Sequence, residues 1–234
     1  MTDKQPKNNG RQKPEAASDK GLYLIEPKPL PKGWQSDFSQ RARMQRARIP
    51  KRFQNKTFDS FRTEKSTQRK NLVKMAKMYV DMFCKNEDFQ KGLILQGAVG
   101  CGKTHLAVAI LQTIIDRGYS GLYYNMPDLL MDIRRTYDDN SDLSEAELLA
   151  DLVGPDLLVL DDLGAEKTAG WVNDRLYLIV NRRYEECKPI LVTTNLAMDE
   201  LIDKLGERTV SRLCEASDYC DTFPKQDYRR MHMR

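Results

Sequence analysis

The residues with the clearest chemical meaning in this sequence form an octet at 97–104, which reads GAVGCGKT and matches the pattern G-x-x-x-x-G-K-[S/T] in full. Glycines at these spacings let backbone N–H groups point inward around phosphate oxygens, while the lysine ammonium reaches the β- and γ-phosphates. The threonine hydroxyl is a suitable ligand for Mg²⁺. The octet therefore predicts a loop that binds ATP and Mg²⁺. The predicted nucleotide-binding residues are Gly97, Ala98, Val99, Gly100, Cys101, Gly102, Lys103, Thr104 and the adjacent His105.

A pair of carboxylates, Asp161 and Asp162, ends the apolar run at 156–161. Acidic side chains at the end of a buried strand are costly unless they serve a cation or accept hydrogen bonds. We expect Asp161 to hold Mg²⁺ together with Thr104, and Asp162 to orient the water that attacks the γ-phosphate. The alternative is an ordinary strand end with solvated acids.

Further downstream, an amide and two arginines extend the set of candidate catalytic residues. Asn195 ends the apolar run at 189–194, where its amide can contact the γ-phosphate or the attacking water. Arg208 and Arg212 are four residues apart on a predicted helix and so share one face. An arginine offered to the nucleotide of a neighbouring subunit can stabilise the charge of the transferring phosphate. The alternatives are a turn or cap residue at Asn195 and a solvated helical face for the arginines.

The elements that must position these residues alternate along the chain. Short apolar runs predict strands, and the segments between them have helical periodicity. Ser144 and Glu147 form a capping-box pattern at the start of one such helix. This alternation predicts an α/β domain with a parallel sheet covered on both faces, in which ligands bind at the carboxyl ends of the strands. The strands are expected at 92–96, 121–125, 156–161 and 189–194; the helices at 66–84, 103–117, 127–137, 171–186 and, as one or two helices ending the regular part, within 198–215.

Composition limits the class of protein. No run of 18 apolar residues is present and the first 20 residues contain no apolar signal-peptide core, so we expect a cytoplasmic protein with no membrane contact. Five cysteines without a CxxC pair and only two histidines do not indicate a disulfide framework or a zinc site.

Charge is distributed unevenly. Residues 1–70 hold 18 Lys and Arg against 7 Asp and Glu, which gives +11, and the remaining 164 residues hold 20 against 27, which gives −7. The composition of 1–20 predicts disorder, and 38–48 has the pattern of a short basic helix. We therefore expect a flexible basic arm at 1–56 that docks on an anionic partner, such as nucleic acid or an acidic protein face. The alternative is a solvated tail.

The order of these motifs resembles that of the AAA+ ATPases of the DnaC/IstB family, and the likeness extends over about residues 40–215. The segments that carry it are GAVGCGKTH, LLVLDDLG, LVTTN and GERTVSRL, with the lead-in segments RIPKRF and KTFDSF. The resemblance implies an AAA+ P-loop NTPase domain at 57–234 with a central parallel sheet flanked by helices. It implies a magnesium role for Asp161, a catalytic acid at Asp162 and a sensor amide at Asn195. It also implies that Arg212, with Arg208 beside it, is an arginine finger that acts in trans.

The same resemblance assigns two further regions. Residues 57–61 match the family segment that packs beside the adenine, and 127–147 match a helical insertion that meets single-stranded DNA in loader-type members. Within that insertion Arg134, Arg135 and Tyr137 are the candidate DNA contacts, because a cation and an aromatic ring suit phosphates and bases. The alternative is a solvated face of an amphipathic helix.

Two departures from the family pattern refine the expectation. Asp162 stands where AAA+ proteins usually have Glu, which predicts slow hydrolysis. Only 22 residues follow Arg212 in the sequence, so we expect no C-terminal lid domain.

The leading hypothesis is an ATP-dependent DNA replication protein that loads a hexameric replicative helicase onto single-stranded DNA. Its basic arm would dock on the helicase, and the ATP-bound form would self-associate. Two alternatives remain at this point. One is an ATPase that assists a transposase on duplex DNA, and the other is a nucleotide-dependent adaptor with little hydrolysis.

Overall fold

The structure, a computed structural model, describes residues 40–64, 66–85, 89–137, 144–165 and 170–228. The strands in these ranges are β1 (Gly92–Gln96), β2 (Gly121–Asn125), β3 (Leu157–Asp161), β4 (Ile190–Thr194) and β5 (Ser217–Cys220). The helices are α1 (Gln40–Arg46), α2 (Thr67–Lys85), α3 (Lys103–Asp116), α4 (Met126–Arg135), α5 (Glu145–Val153), α6 (Gly170–Glu185), α7 (Met198–Leu205) and α8 (Glu207–Glu215).

The five strands form one parallel sheet in the order β2-β3-β4-β1-β5. Its register pairs Asn125 with Asp161 at the end of β2 and β3, and Gln96 with Thr194 at the end of β1 and β4. The carboxyl ends of these four strands therefore lie at a common edge, which is where ligands bind in sheets of this kind.

Helices cover both faces of the sheet, as the apolar strands predict. Leu157 and Val159 point into a core formed with α1, α2 and α3, whereas Leu158 and Leu160 point into a core formed with α4 to α8. Both β3 and β4 are buried along their whole length. The predicted α/β fold with a central parallel sheet is confirmed.

Local sequence accounts for where two of these helices begin. The Asn125 side chain accepts a hydrogen bond from the N–H of Asp128 and so caps α4. At the start of α5, Ser144 and Glu147 form the predicted capping box, in which each side chain bonds the backbone of the other residue.

The region after α8 differs from the prediction. Sequence periodicity placed the end of the regular structure at residue 215, but Ser217–Cys220 adds a fifth strand beside β1. Its four residues, SDYC, lack an apolar run because β5 is an edge strand that is buried only at Cys220.

The described part of the predicted basic arm packs on the domain. The predicted basic helix is present as α1, and Ala47 and Ile49, which follow it, are buried in the core beside α3. The disorder predicted for 1–20 lies outside the described residues. None of the helices in the described ranges is both long and apolar enough to cross a membrane.

Candidate functional site

The phosphate loop connects β1 to α3, as the octet predicts. Gly100 and Gly102 have φ angles of 74° and 109°, in the left-handed region that favours glycine. A Cβ on Gly102 would also lie 2.9 Å from the Phe61 ring. Gly102 is the N-cap of α3 and provides no side-chain cap. The first N–H groups of α3 are therefore available to phosphate oxygens, and they add the partial positive charge of a helix N-terminus.

Lys103 already lies inside this loop. It is buried, with 8% of its surface exposed, and its Nζ donates hydrogen bonds to the carbonyl oxygens of Gly97 at 2.7 Å and Ala98 at 2.9 Å. A phosphate oxygen is a stronger partner for an ammonium group than a carbonyl oxygen, because the phosphate carries a full negative charge and the carbonyl oxygen does not. The loop and its lysine thus fit a bound triphosphate.

Three hydroxyl groups converge on the Asp161 carboxylate, which is 6% exposed. Thr193 Oγ1 donates to Oδ1 at 2.6 Å, while Tyr123 OH at 2.7 Å and Thr104 Oγ1 at 3.2 Å donate to Oδ2. Burial, together with the charge of Asp161, raises the pKa of Tyr123, so its phenol remains a donor. The hard oxygen atoms of Thr104 and Asp161 are suited to Mg²⁺. Tyr123 was not predicted because no motif marks it, and Thr193 lies in the LVTTN segment but was not predicted to bind Asp161.

Asp162 has a different environment from Asp161. Its φ angle is 62° and its N–H donates to Thr193 Oγ1 at 2.9 Å, while its side chain is exposed. Asn195 is also exposed and directly follows Thr194, whose carbonyl oxygen accepts a hydrogen bond from the N–H of Gly97 at 3.1 Å. The fold therefore places both predicted catalytic side chains on the sheet edge that carries the phosphate loop.

Arg208 and Arg212 lie elsewhere, on α8. The Arg212 guanidinium carbon is 5.0 Å from the ring centroid of Tyr177 and 5.8 Å from that of Tyr184, both on α6. Its Nη1 donates to the carbonyl oxygen of Arg208 at 3.2 Å, and the Arg208 side chain is exposed. Neither arginine lines the cleft at the phosphate loop of its own chain. An action in trans remains a prediction.

A cleft of about 570 Å³ opens beside the phosphate loop. It is rich in positive charge. The side chains that line it outside the loop and α3 are Arg52, Phe53, Lys56, Ser60, Arg62, Arg69 and Tyr228. Ser60 belongs to the segment predicted beside the adenine. The other six side chains were not predicted to line a site, because only the fold brings the segment at 52–69 and the end of the described chain together.

His105, on α3, contacts the segment at 57–61 that is predicted to lie beside the adenine. Its Nε2 lies 2.8 Å from the carbonyl oxygen of Thr57 and 3.1 Å from Ser60 Oγ, and its ring meets Phe61 edge-on at 5.1 Å. Burial is the main cause that lowers the pKa of His105. Burial likewise raises the pKa of the Cys101 thiol, which is therefore not activated as a nucleophile.

Of the candidate DNA contacts, Arg134 and Arg135 end α4 and Tyr137 lies in the turn that follows; all three are exposed. Arg135 pairs with Asp132 at 3.6 Å, and the Tyr137 hydroxyl accepts a hydrogen bond from Arg175 Nε at 2.8 Å. Arg134 is not part of any ion pair recorded among the described residues. The three side chains share one end of a helix, whose contact with DNA remains a prediction.

The fold and the phosphate loop together define an ATP-binding P-loop protein of AAA+ type. The model for the IstB-like ATP binding proteins matches residues 31–214, and the chain belongs to this family. It is 34% identical to the replicative helicase loader DnaC of Escherichia coli K12 over 176 residues, 75% of this chain and 70% of the relative. It is 31% identical to the DnaC loader of Buchnera aphidicola subsp. Acyrthosiphon pisum over 185 residues, 79% and 74% of the two chains.

Solved structures agree with this assignment. A crystal structure of the DnaC helicase loader superposes with a TM-score of 0.65 at 30% identity, covering 73% of this chain and 98% of that one. The crystal structure of DnaI gives a TM-score of 0.62 at 26% identity, covering 74% and 94%. DnaA of Aquifex aeolicus bound to AMPPCP shares the fold, with a TM-score of 0.61 at 20% identity over 79% and 54%. The predicted membership of the DnaC/IstB family is confirmed.

Proposed function

We propose that this protein uses ATP to load a hexameric replicative helicase onto single-stranded DNA in the cytoplasm. The observation that carries the proposal is the combination of the phosphate loop and the Asp161 network with 34% identity to a replicative helicase loader over three quarters of the chain. The family also contains the IstB-like proteins after which it is described, so a transposase is the alternative partner.

In this proposal the chain's own groups bind the nucleotide and prepare it for slow hydrolysis. Lys103 and the loop N–H groups hold the phosphates, and Thr104 and Asp161 hold Mg²⁺. When bound, Mg²⁺ neutralises charge on the β- and γ-phosphates. Asp162 then orients the attacking water and accepts its proton. The short, exposed Asp162 side chain is consistent with a slow switch.

Two residues complete the proposed catalytic arrangement. Asn195 contacts the γ-phosphate from the end of β4, beside the start of the phosphate loop. Arg212 of a neighbouring subunit stabilises charge on the phosphate, which requires that the ATP-bound form self-associates. Arg208 lies one helical turn before it on the same helix.

Contacts at the junction of the basic arm support communication between the proposed partner sites. The carbonyl oxygen of Ala47 accepts a hydrogen bond from the N–H of Tyr123, whose hydroxyl binds Asp161. Arg48 pairs with Asp132 on α4 at 3.1 Å. A helicase that pulls on the arm therefore acts on the strand next to the metal-side acid and on the helix that carries the candidate DNA contacts.

The partner is tested by affinity capture from host lysate with ATP. We expect the full chain to recover a replicative helicase, and a chain lacking residues 1–39 to lose it. This deletion keeps Ala47 and Ile49, which belong to the core, and therefore tests the arm without opening the domain. Lys103→Ala, which lacks the lysine proposed to bind the phosphates, tests whether recovery of the partner depends on the nucleotide. Recovery of a transposase, or of duplex DNA alone, would refute the loader proposal.

The DNA surface is tested with Arg134→Glu. We expect weaker binding of single-stranded DNA, and a salt dependence whose slope falls by about one unit if Arg134 contacts one phosphate. Arg117→Glu is the matched control, because Arg117 is an exposed arginine at the C-cap of α3, paired with Asp81 at 2.7 Å. If the two variants bind single-stranded DNA equally well, α4 is not part of the DNA-binding surface.

A further inference from the structure

The segment that follows β5 lies directly over the phosphate loop. β5 runs parallel to β1, with Cys220 beside Leu95, so the chain leaves it at the same edge of the sheet as the loop. A Cβ added to Gly97 would lie 2.8 Å from Phe223 Cβ, and one added to Gly100 would lie 1.9 Å from Asp227 Oδ1. We call residues 221–228 the tail. Its contacts depend on loop positions that have no side chain.

The tail is also hydrogen-bonded to the loop. The N–H of Tyr228 donates to the carbonyl oxygen of Gly100 at 3.1 Å, and Phe223, near the start of the tail, is buried in the core beside α3. The Tyr228 side chain then lines the cleft beside the loop. The tail is thus anchored at Phe223 and at Gly100, and it presents one aromatic ring to the cleft.

Arg69 supports this ring. Its guanidinium lies between two aromatic rings, with its carbon 4.1 Å from the centroid of Phe61 and 4.0 Å from that of Tyr228. Nη1 donates to the carbonyl oxygen of Cys101 at 3.3 Å, and Nε donates to that of Arg62. Two stacked faces and two backbone bonds fix the guanidinium plane.

The positive charge of Arg69 is not offset by a carboxylate among the described residues. The side chain is 5% exposed, and no carboxylate pairs with it among the ion pairs recorded in the described ranges. It lies in the first turn of α2, where a positive charge opposes the helix dipole. A buried cation in such a place is costly unless an anion compensates it. The cleft that Arg69 lines is the proposed site of a triphosphate.

We propose that Arg69 and Tyr228 are nucleotide-binding residues and that the tail closes over bound ATP. The base stacks on the Tyr228 ring and adds one layer to the stack formed by Phe61, Arg69 and Tyr228. The Arg69 charge attracts the phosphates. This inference rests on the proposed binding of ATP at the phosphate loop. It adds an aromatic contact and a second cation that no motif in the sequence contains.

The test measures how fast a fluorescent ATP analogue leaves the full-length protein in stopped-flow experiments. Tyr228→Ala is expected to accelerate release roughly tenfold, since it removes the stacking of the base on an aromatic ring. Tyr228→Phe retains the ring and the backbone bond to Gly100 and should release at the unmodified rate. Arg69→Met retains the apolar stem but not the charge, and should also accelerate release.

Inorganic tripolyphosphate separates the two roles. It has no base, so Tyr228→Ala should leave its ability to displace the analogue unchanged, whereas Arg69→Met should weaken it. A residue that only packs the tail would affect both ligands equally. A chain ending at 224 and a chain ending at 228 give the same comparison without a point substitution, because both retain Phe223.

Failure of this inference is distinguishable from failure of the proposed function. Lys103→Ala must abolish binding if the phosphate loop is the nucleotide site. If Tyr228→Ala and the chain ending at 224 release the analogue at the unmodified rate while Lys103→Ala does not bind, the tail has no role and ATP binding stands. If the unmodified protein does not bind the analogue, both proposals are overturned.

Discussion

Tyr123 gives the sharpest prediction of the proposed metal site. Its hydroxyl is one of three donors to the Asp161 carboxylate, at 2.7 Å, and it shares Oδ2 with Thr104. Tyr123→Phe removes this donor and leaves the ring in place. Groups that orient a metal-binding side chain typically contribute 10- to 100-fold to metal affinity. Because Thr193 still holds Oδ1, we expect the lower end, a roughly tenfold rise in the Mg²⁺ concentration at half-maximal ATP hydrolysis.

Stability provides an independent measure of the same bond. A hydrogen bond to a charged group contributes about 1.5–3 kcal/mol, so denaturant unfolding without nucleotide should show a loss in that range. The two effects are separable, since the first depends on Mg²⁺ and the second does not.

Tyr124→Phe is the matched control. Tyr124 is the neighbouring residue on β2, and its hydroxyl donates to a carboxylate oxygen of Asp132 at 2.9 Å on the opposite face of the sheet. It should lose stability without a change in Mg²⁺ dependence. If Tyr123→Phe and the control have the same Mg²⁺ dependence as the unmodified protein, the Tyr123 hydroxyl does not orient the metal-side acid.

Three further predictions test other parts of the site. Gly100→Ala should destabilise the protein in denaturant unfolding by about 1–2 kcal/mol for its φ angle of 74°, with a further loss from the clash of the new Cβ with Asp227, and Asp227→Ala should restore only the further loss. The pKa of His105 lies below its ordinary value of 6.5, so the contribution of His105 to stability is complete above pH 6.5 and is lost as pH falls through the lowered pKa. In His105→Gln, the loss of thermal stability below pH 6.5 should therefore be smaller than in the unmodified protein. A pH profile of thermal stability that is the same in both proteins would contradict this prediction. Arg212→Ala should bind ATP but not hydrolyse it, and mixing it with Lys103→Ala should restore part of the activity if the arginine acts in trans; mixtures without activity would count against a shared site.

The parts of the site that sequence could predict are those fixed by local pattern. The octet specifies a strand, a loop and a helix within about twelve residues, and each phosphate contact follows from the residue type at its position. Asp161 was identified because a carboxylate ends a run of buried residues. The α/β fold could be predicted because each strand and each helix has its own short-range pattern of apolar residues, and these patterns alternate along the chain.

What sequence could not predict depends on the packing of distant segments. Tyr123 looks like an ordinary strand residue, and only the pairing of β2 with β3 brings its hydroxyl to Asp161. Arg69 and Tyr228 are 159 positions apart along the chain and share no motif. β5 was missed because an edge strand of four mostly polar residues has no apolar pattern, and with it the position of the tail was missed as well.

The most direct test of the loader proposal is helicase loading on closed circular single-stranded DNA, onto which a ring cannot thread from an end. The host replicative helicase is incubated with the circle carrying an annealed labelled strand, with ATP and with or without this protein, and release of the strand is measured. We predict release that requires the protein, its residues 1–39 and Lys103. Strand release that is the same with and without the protein, under conditions where the two bind each other, would contradict the proposed function.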